Sequence, residues 1–159
     1  MNLFFTVSLR VVLVVLFLGS VFAQVWLIPQ LSRDIVDDSP ELAALATPYV
    51  VLWIAVAGCA QIVLLAVWVL LGKIGRGAIF SDRAFRWVDA IIGAGALATA
   101  LVFGFEIHLL GIVDAGGPPL GILLTGIVTA GAAFVLVMLV MRGLLRQATA
   151  LQHELEEVV

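Results

Sequence analysis

Residues Gly72–Asp89 read GKIGRGAIFSDRAFRWVD and hold Lys73, Arg76, Arg83 and Arg86, four of the eight Lys and Arg in the chain. Long apolar runs lie on both sides of this stretch. Lys and Arg gather in the short cytoplasmic loops of membrane proteins, so this hairpin sets the sidedness of everything else. Gly72, Gly75 and Gly77 break the preceding helix and make the turn. Ser81 stands where a helix cap belongs, with Phe80 and Phe85 at the positions of a hydrophobic staple. Asp82 and Arg86 are spaced i,i+4 with the acid first, the favourable order.

The 159 residues are 64% hydrophobic and 12% charged. A soluble domain carries about twice that charge, so the bilayer must act as solvent for most of this chain. The net charge of −3 says less than where the charges lie. The single cysteine, Cys59, leaves no intramolecular disulfide and no CxxC redox or zinc motif. It is expected to be a small packing residue inside a helix.

Outward from the hairpin, four runs have membrane length, since about twenty helical residues cover the ~30 Å hydrocarbon core. The expected spans are about 9–28, 48–71, 84–110 and 120–141, in a single transmembrane domain over 1–159 with a tail at 142–159. Pro29 is expected to end the first span. A rival reading takes Arg10, Val11–Leu18 and the small residues Val21 and Ala23 as a signal peptide. The apolar run continues through Val25–Ile28, which favours an uncleaved span.

The loop at 30–47 carries Asp34, Asp37, Asp38 and Glu41 against Arg33 alone. Ser39-Pro40-Glu41 is a helix-start signal and predicts a short outer-loop helix from Pro40 to about Ala46. The turn at Gly111–Pro119 has no Lys or Arg. Arg10, Lys73, Arg76, Arg83, Arg86, Arg142 and Arg146 therefore fall on one side, and both termini are expected in the cytoplasm. Trp26, Tyr49, Trp53, Trp68 and Trp87 lie where interfacial aromatic belts belong.

Two stripes of small residues suggest close helix contacts: Ala96, Ala100 and Gly104 in the third span, and Gly121, Thr125, Thr129 and Ala133 in the fourth. In the tail, apolar residues at 141, 144, 148, 151, 155 and 158 alternate steps of three and four. That is a short coiled-coil seam, open to two readings. It is an oligomer or partner contact, or it continues the fourth helix along the membrane or the basic hairpin.

Few residues could carry chemistry. Glu106 and His108 lie in the third span, where ionisable groups are functional candidates by default. Residues two apart point to nearly opposite faces of a helix, so the pair can share a site only through a distortion. A metal there would need further ligands from the acidic loop. The plainer reading is interfacial snorkelling, or one hydrogen bond to Gln24 or Gln61. Gln24 and Gln61 themselves suit a bond between helices. Asp89 has Arg86 three residues away as a plausible partner.

The chain has no Gly-rich phosphate loop, no HExxH and no nucleophile elbow. No catalytic, cofactor-binding or metal-ligating set is expected, nor direct contact with nucleic acid. The basic cluster could meet anionic lipid headgroups.

The motif Gly77-Ala78-Ile79-Phe80-Ser81, followed by Asp82-Arg83-Ala84-Phe85-Arg86-Trp87-Val88-Asp89-Ala90-Ile91, resembles domain-of-unknown-function family 2975. These are bacterial four-span membrane proteins, and the sequence looks like the actinobacterial branch. Ser39-Pro40-Glu41 and Met141-Arg142-Gly143-Leu144-Leu145 extend the resemblance over nearly the whole chain. It implies an integral protein of the bacterial plasma membrane without an assigned reaction. Some members are similar to small membrane partners of helix-turn-helix regulators, and no such regulator domain lies in this sequence.

The expected fold is thus an all-α integral membrane four-helix bundle, both termini inside, with the outer-loop helix and a cytosolic helical extension. The expected role is a non-enzymatic oligomeric, accessory or regulatory membrane component. The alternative is a small channel or transporter that uses Glu106 and His108 near the outer face.

Overall fold

The computed structural model of the chain describes residues 3–38, 40, 43–74, 82–114 and 117–157. It is all-α, and its four long apolar helical stretches are each long enough to cross a membrane. The first is compound: α1 (Leu3–Phe22), a π turn (Ala23–Leu27) and α2 (Ile28–Asp38). Then come α3 (Ala43–Ile74), α4 (Asp82–Glu106) with a second π turn (Ile107–Ile112), and α5 (Gly117–Glu157).

Pro29 does not end the first helix, contrary to the sequence expectation. Proline has no N–H to donate, and its ring crowds the carbonyl four residues back. The π turn immediately before it absorbs the defect, with the Ile28 N–H reaching Ala23 O. Wide turns of this kind let a helix pass a local misfit without stopping. The helix therefore runs on to Asp38. The separate outer-loop helix is also corrected: Ala43–Ala46 are the first turn of α3, and Pro48 lies inside that helix. Ser39 and Glu41 of that helix-start signal fall outside the described residues, as do Arg76 and the cap assigned to Ser81.

Packing follows chain order. Among the described residues, α1 packs on α3, α3 on α4 and α4 on α5, and no comparable contact joins α1 to α4 or α5. The four helices are packed together as an open row rather than a closed bundle. The core sits at the end of the row where α2 lies. Val102, Phe105, Leu109 and Leu124 are buried there, with Tyr49, Leu52 and Trp53 packed against them. Phe105 meets Tyr49 edge-on at 4.8 Å and Trp53 at 5.4 Å between ring centroids. Edge-to-face contacts suit the aromatic quadrupole.

The α4–α5 pair is a straight antiparallel seam. Residue 89 faces 142, 95 faces 134, 99 faces 131 and 106 faces 125. On α5 the seam runs through Leu124, Val128, Gly131 and Val135, in steps of four, three and four. That spacing keeps one face of α5 turned to α4. Close approach occurs at Gly131, where an added Cβ would overlap Thr99 Oγ1. The Thr99 hydroxyl is held there by donating to Gly95 O at 2.8 Å. The expected stripe of Ala96, Ala100 and Gly104 is instead exposed, and a Cβ on Gly104 would meet nothing within 4 Å.

Asp114, after the second π turn, has φ +54°, and α5 opens on Gly117 at φ +63°. Asp tolerates the left-handed region better than most side chains, and Gly enters it at no steric cost. Cys59 is buried, as expected.

Large apolar side chains cover the outside of all four helices: Val25 is 74% exposed and Ile122 75%. Soluble monomers do not carry apolar surface on this scale. The chain is a multi-pass membrane protein whose helices contact the lipid bilayer.

Candidate functional site

Each polar side chain singled out in the spans is taken up in a contact between neighbouring helices. The first contact joins the α1 stretch to α3. Gln24, in the first π turn, accepts from Gln61 Nε2 at 2.7 Å and donates to Ile54 O at 3.1 Å. At the other end of that pair, Arg10 lies over the Trp68 ring, 5.8 Å from its centroid. A cation over an indole face is attracted by the ring's quadrupole.

The second contact joins α3 to α4. The Tyr49 hydroxyl and His108 Nδ1 share a hydrogen bond of 2.8 Å. The third joins α4 to α5, where Thr125 Oγ1 donates to a Glu106 carboxylate oxygen. A fourth closes the opposite end of the same pair: Arg142 Nη2 donates to Asp89 Oδ2 at 3.0 Å. Arg142 Nε also sits against Asp89 Oδ1, outside hydrogen-bond geometry, so it adds charge contact only.

These partners correct two expectations. Glu106 and His108 do not bond Gln24 or Gln61, which bond each other. Asp89 pairs with Arg142 across the seam rather than with Arg86 on its own helix. The positions of Glu106 and His108 follow the helix geometry. A π turn does follow Glu106, with Val113 N–H reaching His108 O at 3.0 Å, but it does not bring Glu106 and His108 to one site. Glu106 turns to α5 and His108 to α3, as opposite faces require.

Among the described residues, no three His, Cys, Asp or Glu side chains converge as a metal would need. Of the basic cluster, Arg86 is exposed on α4, Lys73 lies at the end of α3 and Arg83 at the start of α4.

Two residues gained importance only in three dimensions. Tyr49, the single tyrosine, reads in sequence as a belt residue, and Thr125 reads as part of a small-residue stripe. The available signal was their depth along the span: polar groups there require partners, and each lies level with an ionisable residue on the adjacent helix.

The core at the α2 end also walls an apolar cavity of about 530 Å³. It lies between α2 on one side and α5 on the other, with α3 and α4 as its floor. Neither Glu106 nor His108 lines it. It exists because the row is open: α2 packs on α3 and α5 on α4, leaving a gap between them.

No curated protein and no solved structure matches the chain. Residues 30–159 match the family described as "Protein of unknown function (DUF2975)", and with most of its length covered the chain belongs to that family.

Proposed function

We propose that the protein is a non-enzymatic component of a bacterial plasma membrane, with both termini in the cytoplasm, that works through helix contacts with a second copy of itself. The observation that carries this reading is the length and outer face of α5. Its 41 residues cover about 61 Å at ~1.5 Å each, twice the ~30 Å hydrocarbon core. Beyond the Asp89–Arg142 pair the helix continues into water. Met141, Leu144 and Ala148 stand there exposed at steps of three and four, while Arg142, Leu145 and Thr149 are half-buried. A stripe of that period in water asks for a facing helix.

The pairing of Gln24, Gln61, His108, Glu106 and Asp89 between helices supports a structural rather than catalytic use of the polar residues. The basic cluster of Lys73, Arg76, Arg83 and Arg86 fits the cytoplasmic leaflet and its anionic headgroups.

The test is cross-linking of Leu144→Cys in native membranes, with light scattering of the purified protein in mild detergent. Buried Cys59 does not compete. We expect a disulfide between copies, a mass of at least two chains, and loss of both in Leu144→Glu. A monomer without cross-links overturns the reading. A different protein held on the same stripe replaces it with an accessory role.

A further inference from the structure

The cavity of about 530 Å³ at the α2 end is of the size that holds whole ligands in other proteins. Its lining is apolar except for Ser32, Tyr49 and Trp53. The Tyr49 hydroxyl is already bonded to His108. A water needs two to four polar partners to be held, and this wall does not offer them. An empty space of that size would forfeit dispersion contacts along every wall. The medium beside the helices is hydrocarbon. We propose that the cavity is a phospholipid site that takes one acyl chain, walled by α2 and α5 and floored by the Tyr49, Trp53 and Phe105 rings.

The site differs from ordinary contact with surrounding lipid in its shape. A chain on the convex side of α1 or α5 touches protein along one side. A chain in the cavity is touched from α2, from α5 and from the floor between them, so it is held more tightly. The head is set by α2. Ile28, Leu31, Ile35 and Val36 turn to the cavity, while Asp34, Asp37 and Asp38 stand exposed on the same helix against Arg33 alone. That balance favours a head ending in an ammonium and disfavours an anionic one. The ligand class is therefore a zwitterionic phospholipid.

The test uses phosphatidylcholine with a brominated acyl chain, titrated into the full-length protein in detergent. Trp26→Phe, Trp68→Phe and Trp87→Phe together leave Trp53 as the reporter. A second protein keeps only Trp26, which is 57% exposed on the outside. Trp53 quenching is expected to saturate at one probe per chain, and Trp26 quenching to rise steadily with the mole fraction of probe. Filling the cavity with Val50→Phe plus Ile127→Phe should weaken the saturating phase at least tenfold. Brominated phosphatidylglycerol should bind at least threefold more weakly than phosphatidylcholine. Identical curves for Trp53 and Trp26 overturn the site, and that comparison stands even if the filled variant fails to fold. Unchanged quenching in a folded filled variant overturns it too. Equal binding of the anionic probe overturns the assignment of the head.

Discussion

Tyr49 and His108 are 59 positions apart in the chain, and the hydroxyl of one lies 2.8 Å from Nδ1 of the other. The bond joins the start of α3 to the second π turn, beside the Phe105 core. Tyr49→Phe keeps the ring contacts and removes only this bond. Interhelical hydrogen bonds in membranes are worth about 0.6 kcal/mol on average and up to ~1.7. Thermal unfolding in detergent should show a loss in that range. His108→Phe should cost a similar amount and the double variant little more. Additive losses would mean that the two residues act separately.

Gly131 and Gly104 make a matched pair. Gly131→Ala places a methyl on Thr99 Oγ1, whereas Gly104 faces open space. Overpacking a tight seam costs about 1–3 kcal/mol. Gly131→Ala should therefore lower the unfolding midpoint, and Thr99→Ala in the same chain should restore much of it. Gly104→Leu should unfold like the wild type. The opposite ranking would show that α4 and α5 meet on another face.

The Asp89–Arg142 pair should matter little and depend on salt. Both side chains are partly exposed, at 45% and 29%. Pairs of this kind contribute about 0.2–1 kcal/mol, and salt screens them. Asp89→Asn should lower stability slightly at low ionic strength and not measurably at 1 M salt, where the Debye length is about 3 Å. A large loss that persists in salt would indicate a buried, specific contact.

Glu106→Gln keeps an acceptor for the Thr125 hydroxyl, so its unfolding midpoint should stay near that of the wild type. Vesicles containing either protein should pass ions no faster than protein-free vesicles. A conductance present in wild type and lost in Glu106→Gln would place this carboxylate in a permeation path.

Sidedness can be read by labelling intact cells with an impermeant thiol reagent. Asp37→Cys, exposed on α2, should react from outside. Gln147→Cys, exposed on α5, should react only after the membrane is opened. The reverse pattern would invert the charge-based orientation.

The sequence located the helices well and their faces poorly. The expected spans at 48–71 and 84–110 fall within α3 and within α4 plus its π turn, because long apolar runs and the glycine-rich hairpin mark their limits. Pro29 misled because the π turn at Ala23–Leu27, which compensates its missing N–H, has no mark of its own in the sequence. The stripe of Ala96, Ala100 and Gly104 misled for a different reason. In a bilayer the lipid face and the protein face are both apolar, so periodicity cannot say which is which. Polar residues could say it: Gln24, Gln61, His108, Glu106 and Asp89 all point toward a neighbouring helix. Their partners were unreadable, since Tyr49, Thr125 and Arg142 come from other helices. The cavity left no signal at all, because its lining residues look like any other membrane-facing set.

The open row has a consequence for how the protein is made. Each spanning helix rests on the one synthesised before it: α3 on α1, α4 on α3, α5 on α4. Contacts between consecutive elements keep loop closures short and assembly fast. A chain inserted from its N-terminus can dock each helix as it emerges, and no earlier gap has to be held open for a later arrival. Biogenesis could therefore proceed as stepwise addition at one growing edge.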